Sequence, residues 1–319
     1  MTTVTATAHP NIALVKYWGK RDIPLNLPVV PSLSLTLDGF ETRTTVTWGS
    51  DRDAFELDGV PADAKAAAKV FAFLDLIDPK RPPCKVVSAN DFPTGAGLAS
   101  SASAFAALAL AASTARGDDV DPTRLSVLAR QGSGSACRSL WGGFVEWRAG
   151  ERPDGADSHG LPLAGPDHWD VSMVVAVVST AHKPVGSTDG MERARLTSPL
   201  YDTWVAQAQG DVNVGRDAIF ARDLNVLGRV MEASTYKMHA TMHTSAPPLM
   251  YWQPASLACL HTVWALRAGG LSAWTTMDAG PQVKVLCRRA DAVTVADALR
   301  PHALAVHVLR PGGPARIVS

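Results

Sequence analysis

Cysteine is scarce: 319 residues contain four, at Cys84, Cys137, Cys259 and Cys287. They lie far apart and form no Cys-x-x-Cys pair, which argues against a zinc knuckle or a disulfide frame and suits buried thiols in a reduced, cytoplasmic compartment. Excess charge is lacking too. The 30 basic residues balance 30 acidic ones, with no run of lysine or arginine, so a nucleic-acid partner is not expected. No apolar run approaches the ~18 residues of a membrane span, and the Thr/Ala-rich start from Met1 to Ala8 lacks the basic end and apolar core of a signal peptide. No membrane partner is expected either. Two familiar phosphate loops are also missing. There is no Gly-x4-Gly-Lys-Ser/Thr, and in Gly95-Ala-Gly97-Leu-Ala-Ser100 a serine stands where a dinucleotide fingerprint needs its third glycine.

What is present is a chain 46% apolar, long enough to bury a large core as one α/β unit or as two lobes. Its organising stretch runs from Asp91 through Phe105 to Ser113. Pro93, Gly95 and Gly97 forbid regular structure there, whereas the Ala/Leu-rich run from about Ser101 is strongly helix-forming. A glycine loop thus feeds a helix N-terminus, and Ser100, Ser101 and Ser103 sit on the junction. Hydroxyls, free backbone N–H groups and the positive end of the helix dipole converge on one point, which suits an anion such as phosphate. Taken alone, the loop equally suits an N-capped, Ala-rich core helix.

Along the rest of the chain, Asn11 to Val15 reads as a short buried strand, followed by an unusual mixture of Lys16, Tyr17, Trp18, Gly19 and Lys20. Lysines beside aromatics suit an anion pocket with one apolar wall; an edge strand with solvated lysines is the plainer reading. Ser32 to Leu37 alternates strictly and predicts a half-buried strand. Glu41 to Trp48 is another strand, with Asp51 to Asp58 as its hairpin partner. Pro61 to Leu76 reads as a helix burying Ala67, Val70, Phe71 and Leu74, and Lys85 to Ser88 as the strand leading into the glycine loop. After a turn at Gly117 to Pro122, Thr123 to Arg130 is helical. Then Arg130-Gln-Gly-Ser-Gly-Ser-Ala-Cys-Arg138 brings two hydroxyls, free amides and a guanidinium together, a set that can meet a carboxylate or phosphate. A flexible Ser/Gly linker is the alternative, but linkers do not usually lead straight into Trp141, Phe144, Val145 and Trp147. Gly150 to Gly160 reads as an exposed polar loop.

Val171 to Ser179 is a buried strand. A lobe boundary is placed just after it, giving units 1–182 and 183–319. Helices are expected at Trp204 to Ala208, Val214 to Arg222, Leu224 to Thr241, Leu257 to Ala268 and Asp291 to Leu299, with a last strand at Ala303 to Leu309. His239 and His243 have the i, i+4 spacing of metal ligands but no third ligand in view, and no metal site is assigned to them. Ala273 to Cys287 reads as strand, turn, then strand or helix, with Asp278 on the turn; closing an Asx-turn is as good an account of that aspartate as catalysis.

Two oxyanion-binding Ser/Gly loops, scattered lysines, one arginine and a carboxylate on a turn are the parts that phosphoryl transfer needs. That points to an ATP-using small-molecule enzyme without naming its substrate. Pro93-Thr-Gly-Ala-Gly-Leu-Ala-Ser-Ser-Ala-Ser103 resembles the phosphate loop of the GHMP small-molecule kinase superfamily. Asn11-Ile-Ala-Leu-Val-Lys-Tyr-Trp-Gly-Lys-Arg-Asp22, Arg130 to Ser139 and Met277-Asp-Ala-Gly-Pro281 are similar to the mevalonate diphosphate decarboxylase family in particular. The likeness runs from Ala8 to about Cys287, in the family's order.

The resemblance implies an α+β GHMP kinase fold, with two lobes and a deep active-site cleft between them. It implies ATP-dependent conversion of mevalonate 5-diphosphate to isopentenyl diphosphate, with release of ADP, phosphate and CO2, through phosphorylation of the 3-hydroxyl. By the same resemblance Asp278 accepts or orients that hydroxyl's proton and Arg138 grips the substrate carboxylate. Tyr17, Lys20, Ser133 and Ser135 match the diphosphate-binding positions, and Lys183, with Ser187 and Met191 downstream, the segment that meets the transferred phosphate. Gly95, Gly97, Leu98, Ala99, Ser100 and Ser101 match the ATP loop, the two serines also standing where Mg2+ binds with ATP, and Asn11 supports the active-site base or the strand end. The family also admits a homodimer. A mevalonate 5-phosphate decarboxylase, a mevalonate-type kinase that does not decarboxylate, and a non-catalytic nucleotide binder share the frame; the presence of Asp278 and Lys183 argues for full ATP-dependent decarboxylation, and the retained acid, arginine and serines count against the binder.

Overall fold

The computed structural model describes residues 2–92, 100–119, 121–181 and 183–318. The loop positions Gly95, Gly97, Leu98 and Ala99 therefore lie outside the described residues. The chain opens with β1 (Thr2–Ala8), β2 (Asn11–Val15), β3 (Lys20–Asp22), β4 (Leu27–Pro28), β5 (Ser32–Asp38) and β6 (Thr42–Trp48). β7 (Ala54–Leu57), β8 (Val60–Pro61), helix α1 (Ala64–Ile77) and β9 (Cys84–Asn90) lead to the long helix α2 (Ser100–Arg116). Next come α3 (Pro122–Gly132), a 3-10 turn at Gly134–Cys137, β10 (Phe144–Trp147), β11 (Gly160–Ala164) and β12 (Val171–Val177). Helices α4 (Ser187–Thr197), α5 (Tyr201–Ala221), α6 (Leu224–His243) and α7 (Pro254–Ala268) follow. The chain closes with β13 (Ala273–Thr276), β14 (Val283–Arg288), α8 (Ala292–Leu299), β15 (Ala305–Pro311) and β16 (Arg316–Ile317).

Helix starts are written locally. The carboxylates of Asp63, Asp121 and Asp223 accept the free N–H groups of Ala66, Arg124 and Val226 at the heads of α1, α3 and α6. Two large sheets result. The first has the order β16-β1-β6-β9-β7-β8, and α2 lies across β1 and β6. Its stripe of Ala102, Ala106, Ala109 and Ala112, all fully buried, lets helix and sheet approach closely around Val46, Phe73, Leu74 and Val86. The second sheet has the order β11-β10-β5-β15-β12-β14-β13, with β2 also pairing β5, and is covered by α5 and α6 on one part and by α7 and α8 on another. No helix among the described residues is long and apolar enough to cross a membrane.

Five expectations are corrected. β5 is buried on both faces, not one: its polar side is occupied, with Thr36 Oγ1 donating to Trp141 O at 2.9 Å and Ser32 Oγ accepting from Arg138. Residues 54–57 do not pair with β6; they run parallel to β9, because β6 already has β1 and β9 on its two edges. The two helices expected at Trp204 to Ala208 and Val214 to Arg222 are one, α5, which runs on through Gly210 because Val212, between them, is buried in the core. In α1 the buried positions are Val70, Phe73 and Leu74, with Phe71 half-exposed. The Gly150–Gly160 loop is exposed only on its outer side. The carbonyls of Gly155 and Ser158 turn inward and accept hydrogen bonds from the buried Arg130 guanidinium.

Candidate active site

Five junctions meet where β2 ends. They are the Lys16–Lys20 segment, the head of α2, the 3-10 turn after α3, the start of α4, and the turn between β13 and β14. Every candidate within the described residues, namely Asn11, Tyr17, Lys20, Ser100, Ser101, Ser133, Ser135, Arg138, Lys183, Ser187, Met191 and Asp278, lines a single cavity of about 520 Å³. Among the described residues, five of its lining side chains are cationic (Lys16, Lys20, Lys69, Arg138 and Lys183) against one acid, Asp278. In a chain of zero net charge that local imbalance marks an anion site.

Asp278 ends the run of β13 and is held by two lysines. Lys16 Nζ donates to Oδ1 at 2.6 Å and Lys284 Nζ to Oδ2 at 3.0 Å. Lys16 and Lys284 are almost fully buried, whereas the Asp278 side chain is 28% exposed and turns its free edge to the cavity. Burial alone would raise the carboxyl pKa, but the attraction of Lys16 and Lys284 outweighs it and holds the group well below the usual carboxylate range. Lys16 feels the opposite balance. Burial pushes its ammonium down to about 8 although Asp278 favours the charged form.

Arg138 follows the 3-10 turn and is 2% exposed. Its Nε donates to Asn11 Oδ1 at 3.0 Å, Nη1 donates to Ser32 Oγ, and the guanidinium lies over the Trp147 ring. Asn11 therefore stands on the arginine and on the Ser/Gly turn, where its Nδ2 donates to Ser135 O at 3.0 Å. Tyr17 packs against Trp147 as well, with ring centroids 4.6 Å apart. Its hydroxyl is buried without a hydrogen-bond partner among the described residues, a polar atom left for a ligand. Ser101 Oγ and Ser133 Oγ lie 3.2 Å apart, joining the two Ser/Gly loops. Lys183 Nζ donates to Ser187 Oγ at 2.7 Å and to Ala279 O at 3.1 Å, and burial lowers its pKa.

Sequence reasoning passed over Lys69 and Lys284, and it read Lys16 only as a lysine of an anion pocket, without its tie to Asp278. The signal for Lys284 was available: a lysine inside Val283-Lys-Val-Leu286 has no solvent-facing side to occupy and so needs a buried counter-ion. His239 and His243 pack against Trp252, the first tilted and the second edge-on, and Trp252 Nε1 donates to His239 Nδ1 at 3.0 Å.

Residues 8–160 match the model of the diphosphomevalonate decarboxylase-like N-terminal domain, and residues 173–307 that of the mevalonate 5-diphosphate decarboxylase C-terminal domain. The chain belongs to the diphosphomevalonate decarboxylase family. The diphosphomevalonate decarboxylase of Aspergillus fumigatus is 38% identical over 93% of this chain and 79% of its own length. That of Bos taurus is 38% identical over 88% and 76%. Among solved structures, mevalonate diphosphate decarboxylase from Staphylococcus aureus superposes with a TM-score of 0.94 at 36% identity, covering 100% of this chain and 98% of the other. MDDEF, solved in complex with MVAPP, AMPPCP and magnesium, gives 0.93 at 38% identity, covering 100% and 99%. The architecture is thus the α+β GHMP kinase fold of that family.

Proposed function

We infer that this chain catalyses the ATP-dependent decarboxylation of mevalonate 5-diphosphate to isopentenyl diphosphate, ADP, phosphate and CO2. The observation that carries the residue assignment is Asp278, ionised between Lys16 and Lys284, with its free edge in the same cation-lined cavity as Arg138 and both serine loops. In this reading residues 1–182 and 183–319 form the two lobes bordering the cleft.

The donor set fits ATP and Mg2+: Ser100 and Ser101 at the head of α2, Lys183 opposite, and a surplus of cations. When bound, ATP with Mg2+ supplies the phosphoryl group that turns the substrate's 3-hydroxyl into a leaving group. The chain's residues do the remaining work. Tyr17, Lys20, Ser133 and Ser135 hold the diphosphate, the buried Tyr17 hydroxyl gaining the partner it lacks. Arg138, steadied by Asn11 and Ser32, grips the carboxylate by charge-assisted hydrogen bonds and aligns the C–C bond that breaks. Asp278 accepts the hydrogen bond of the 3-hydroxyl. With its pKa held so low it orients and polarises that hydroxyl more than it stores the proton. Met191 closes the apolar side, Lys183 meets the transferred phosphate with Ser187 fixing its ammonium, and exclusion of water around the developing cationic centre favours elimination over hydration.

Purified protein given Mg-ATP with mevalonate, its 5-phosphate or its 5-diphosphate, followed for ADP and CO2, tests the reading. Turnover is expected only with the 5-diphosphate. CO2 from the 5-phosphate instead would reassign the substrate, and ADP without CO2 would make the protein a kinase. Asp278→Asn should still bind the substrate and lose at least about a thousandfold in kcat.

A further inference from the structure

Lys284 touches Asp278 from a direction the cavity does not reach. It sits on β14, is fully buried, and is absent from the cavity wall, whereas Lys16 is part of it. Its register partners are Val175 on β12 and Thr276 on β13, neither of which carries charge. Its ion pair with Asp278, six residues back, spans the turn that joins β13 to β14, and that turn is itself closed by Gly280 N donating to Asp278 O at 2.8 Å. A carboxylate on a tight turn can rotate about two bonds. Here one oxygen is held from behind and the other from the side, so the lone pairs that remain face the cavity.

Resting on the decarboxylase reading above, we propose that Lys284 is a positioning residue for the reaction: it sets which edge of the Asp278 carboxylate meets the substrate hydroxyl and supplies a second buried positive charge that offsets it. An ammonium in an apolar strand needs that carboxylate as much as the carboxylate needs the ammonium. The other groups that act on Asp278 are Lys16 from the end of β2, Lys183 ahead of α4, Arg138 after the 3-10 turn, and His239 from α6. His239 is neutral near pH 7, its pKa lowered by burial to about 3, so the compensation of Asp278 comes from the lysines and the arginine.

The test uses the full chain carrying Lys284→Met, which keeps length without charge, Lys284→Arg, and Lys284→Met combined with Asp278→Asn. Each is assayed near pH 7 with Mg-ATP and mevalonate 5-diphosphate. Lys284→Met is expected to lower kcat roughly 10- to 100-fold and to change KM for either substrate less than about threefold. Lys284→Arg should restore part of the rate. In the Asp278→Asn background, Lys284→Met should cost no further rate. A near-normal kcat in Lys284→Met would overturn the proposal, as would an equal additional loss in that background. If Lys284→Met does not fold, Lys284→Gln, which keeps a polar head without charge, serves instead: a loss of kcat that vanishes in the Asp278→Asn background supports the proposal, and an undiminished kcat ends it. Failure of the unaltered chain to release CO2 from any mevalonate derivative would count against the decarboxylase reading, and a working enzyme indifferent to Lys284 against this inference alone.

Discussion

Asn11 Oδ1 accepts a hydrogen bond from Arg138 Nε at 3.0 Å, while the same amide's nitrogen donates to Ser135 O at 3.0 Å and to Ser139 Oγ at 2.7 Å. The first residue of β2 thereby sets both the guanidinium and the Ser/Gly turn beside it. A hydrogen bond to a buried charge contributes about 1.5–3 kcal/mol. Asn11→Ala is therefore expected to lower kcat/KM about 10- to 100-fold, with the fold intact by circular dichroism. Asn11→Asp should weaken binding of the acidic substrate further, since an internal carboxylate then competes for Arg138. Tighter binding by the aspartate variant in a titration would contradict this account of the arginine.

Lys16 ties activity to alkaline pH. Its ammonium loses its proton around pH 8, and with it the charge that pins Asp278 Oδ1. The kcat/KM profile should fall above about pH 8, and Lys16→Arg, whose guanidinium stays charged, should remove that limb or move it well upward. Stability moves the other way. The folded pKa lies below the unfolded value of 10.5, so between about 8 and 10.5 the unfolded chain binds more protons, and the Lys16 contribution to stability rises with pH across that window. An alkaline limb of unchanged midpoint in Lys16→Arg would assign it to another group.

His239 ties stability to acid. Burial first, then the nearby Lys16 and His243, lower its pKa to about 3. A base depressed in this way stabilises fully above its unfolded value of 6.5, and the contribution shrinks as pH falls from 6.5 toward 3. The loss should reach about 2–3 kcal/mol near pH 4.5. Urea unfolding of the wild-type chain should show that slope and His239→Gln a flatter one; parallel curves would mean that the imidazole is not the titrating group.

Gly19 has φ +118°, and a Cβ there would stand 1.7 Å from the Tyr201 hydroxyl, which donates to Trp18 O at 3.1 Å. Gly19→Ala is expected to cost at least about 2 kcal/mol in stability and to displace Lys20. Adding Tyr201→Phe should recover only part, because the backbone strain remains. Complete recovery in denaturant midpoint would mean that the collision alone carries the cost.

How much of this was readable beforehand depends on what kind of fact it is. The serine and glycine loops, Arg138 and Asp278 are chemically conspicuous, and the structure gathers all of the described ones around one cavity. The strand at Ser32–Asp38 misled because alternation reports polarity and not exposure: Ser32 and Thr36 are buried against the hydrogen-bonding partners Arg138 and Trp141 O. The break expected between Ala208 and Val214 failed because one glycine, Gly210, is tolerated inside a long helix that Val212 and Ile219 anchor to the core, a tertiary demand that overrides helix propensity. The clamp on Asp278 joins residues 262 positions apart, Lys16 and Asp278, and such a pairing becomes visible only once the strand order is known.

Strand order carries one more consequence. The final strand, β16, borders the first, with Val318 N donating to Thr5 O, and β15 lies between β5 and β12 in the second sheet. Early and late segments are thus laced together, so a chain still emerging from the ribosome cannot complete either layer until its tail is free. Tags or truncations at the carboxyl end should for that reason act on assembly of the whole molecule, the distant pocket included.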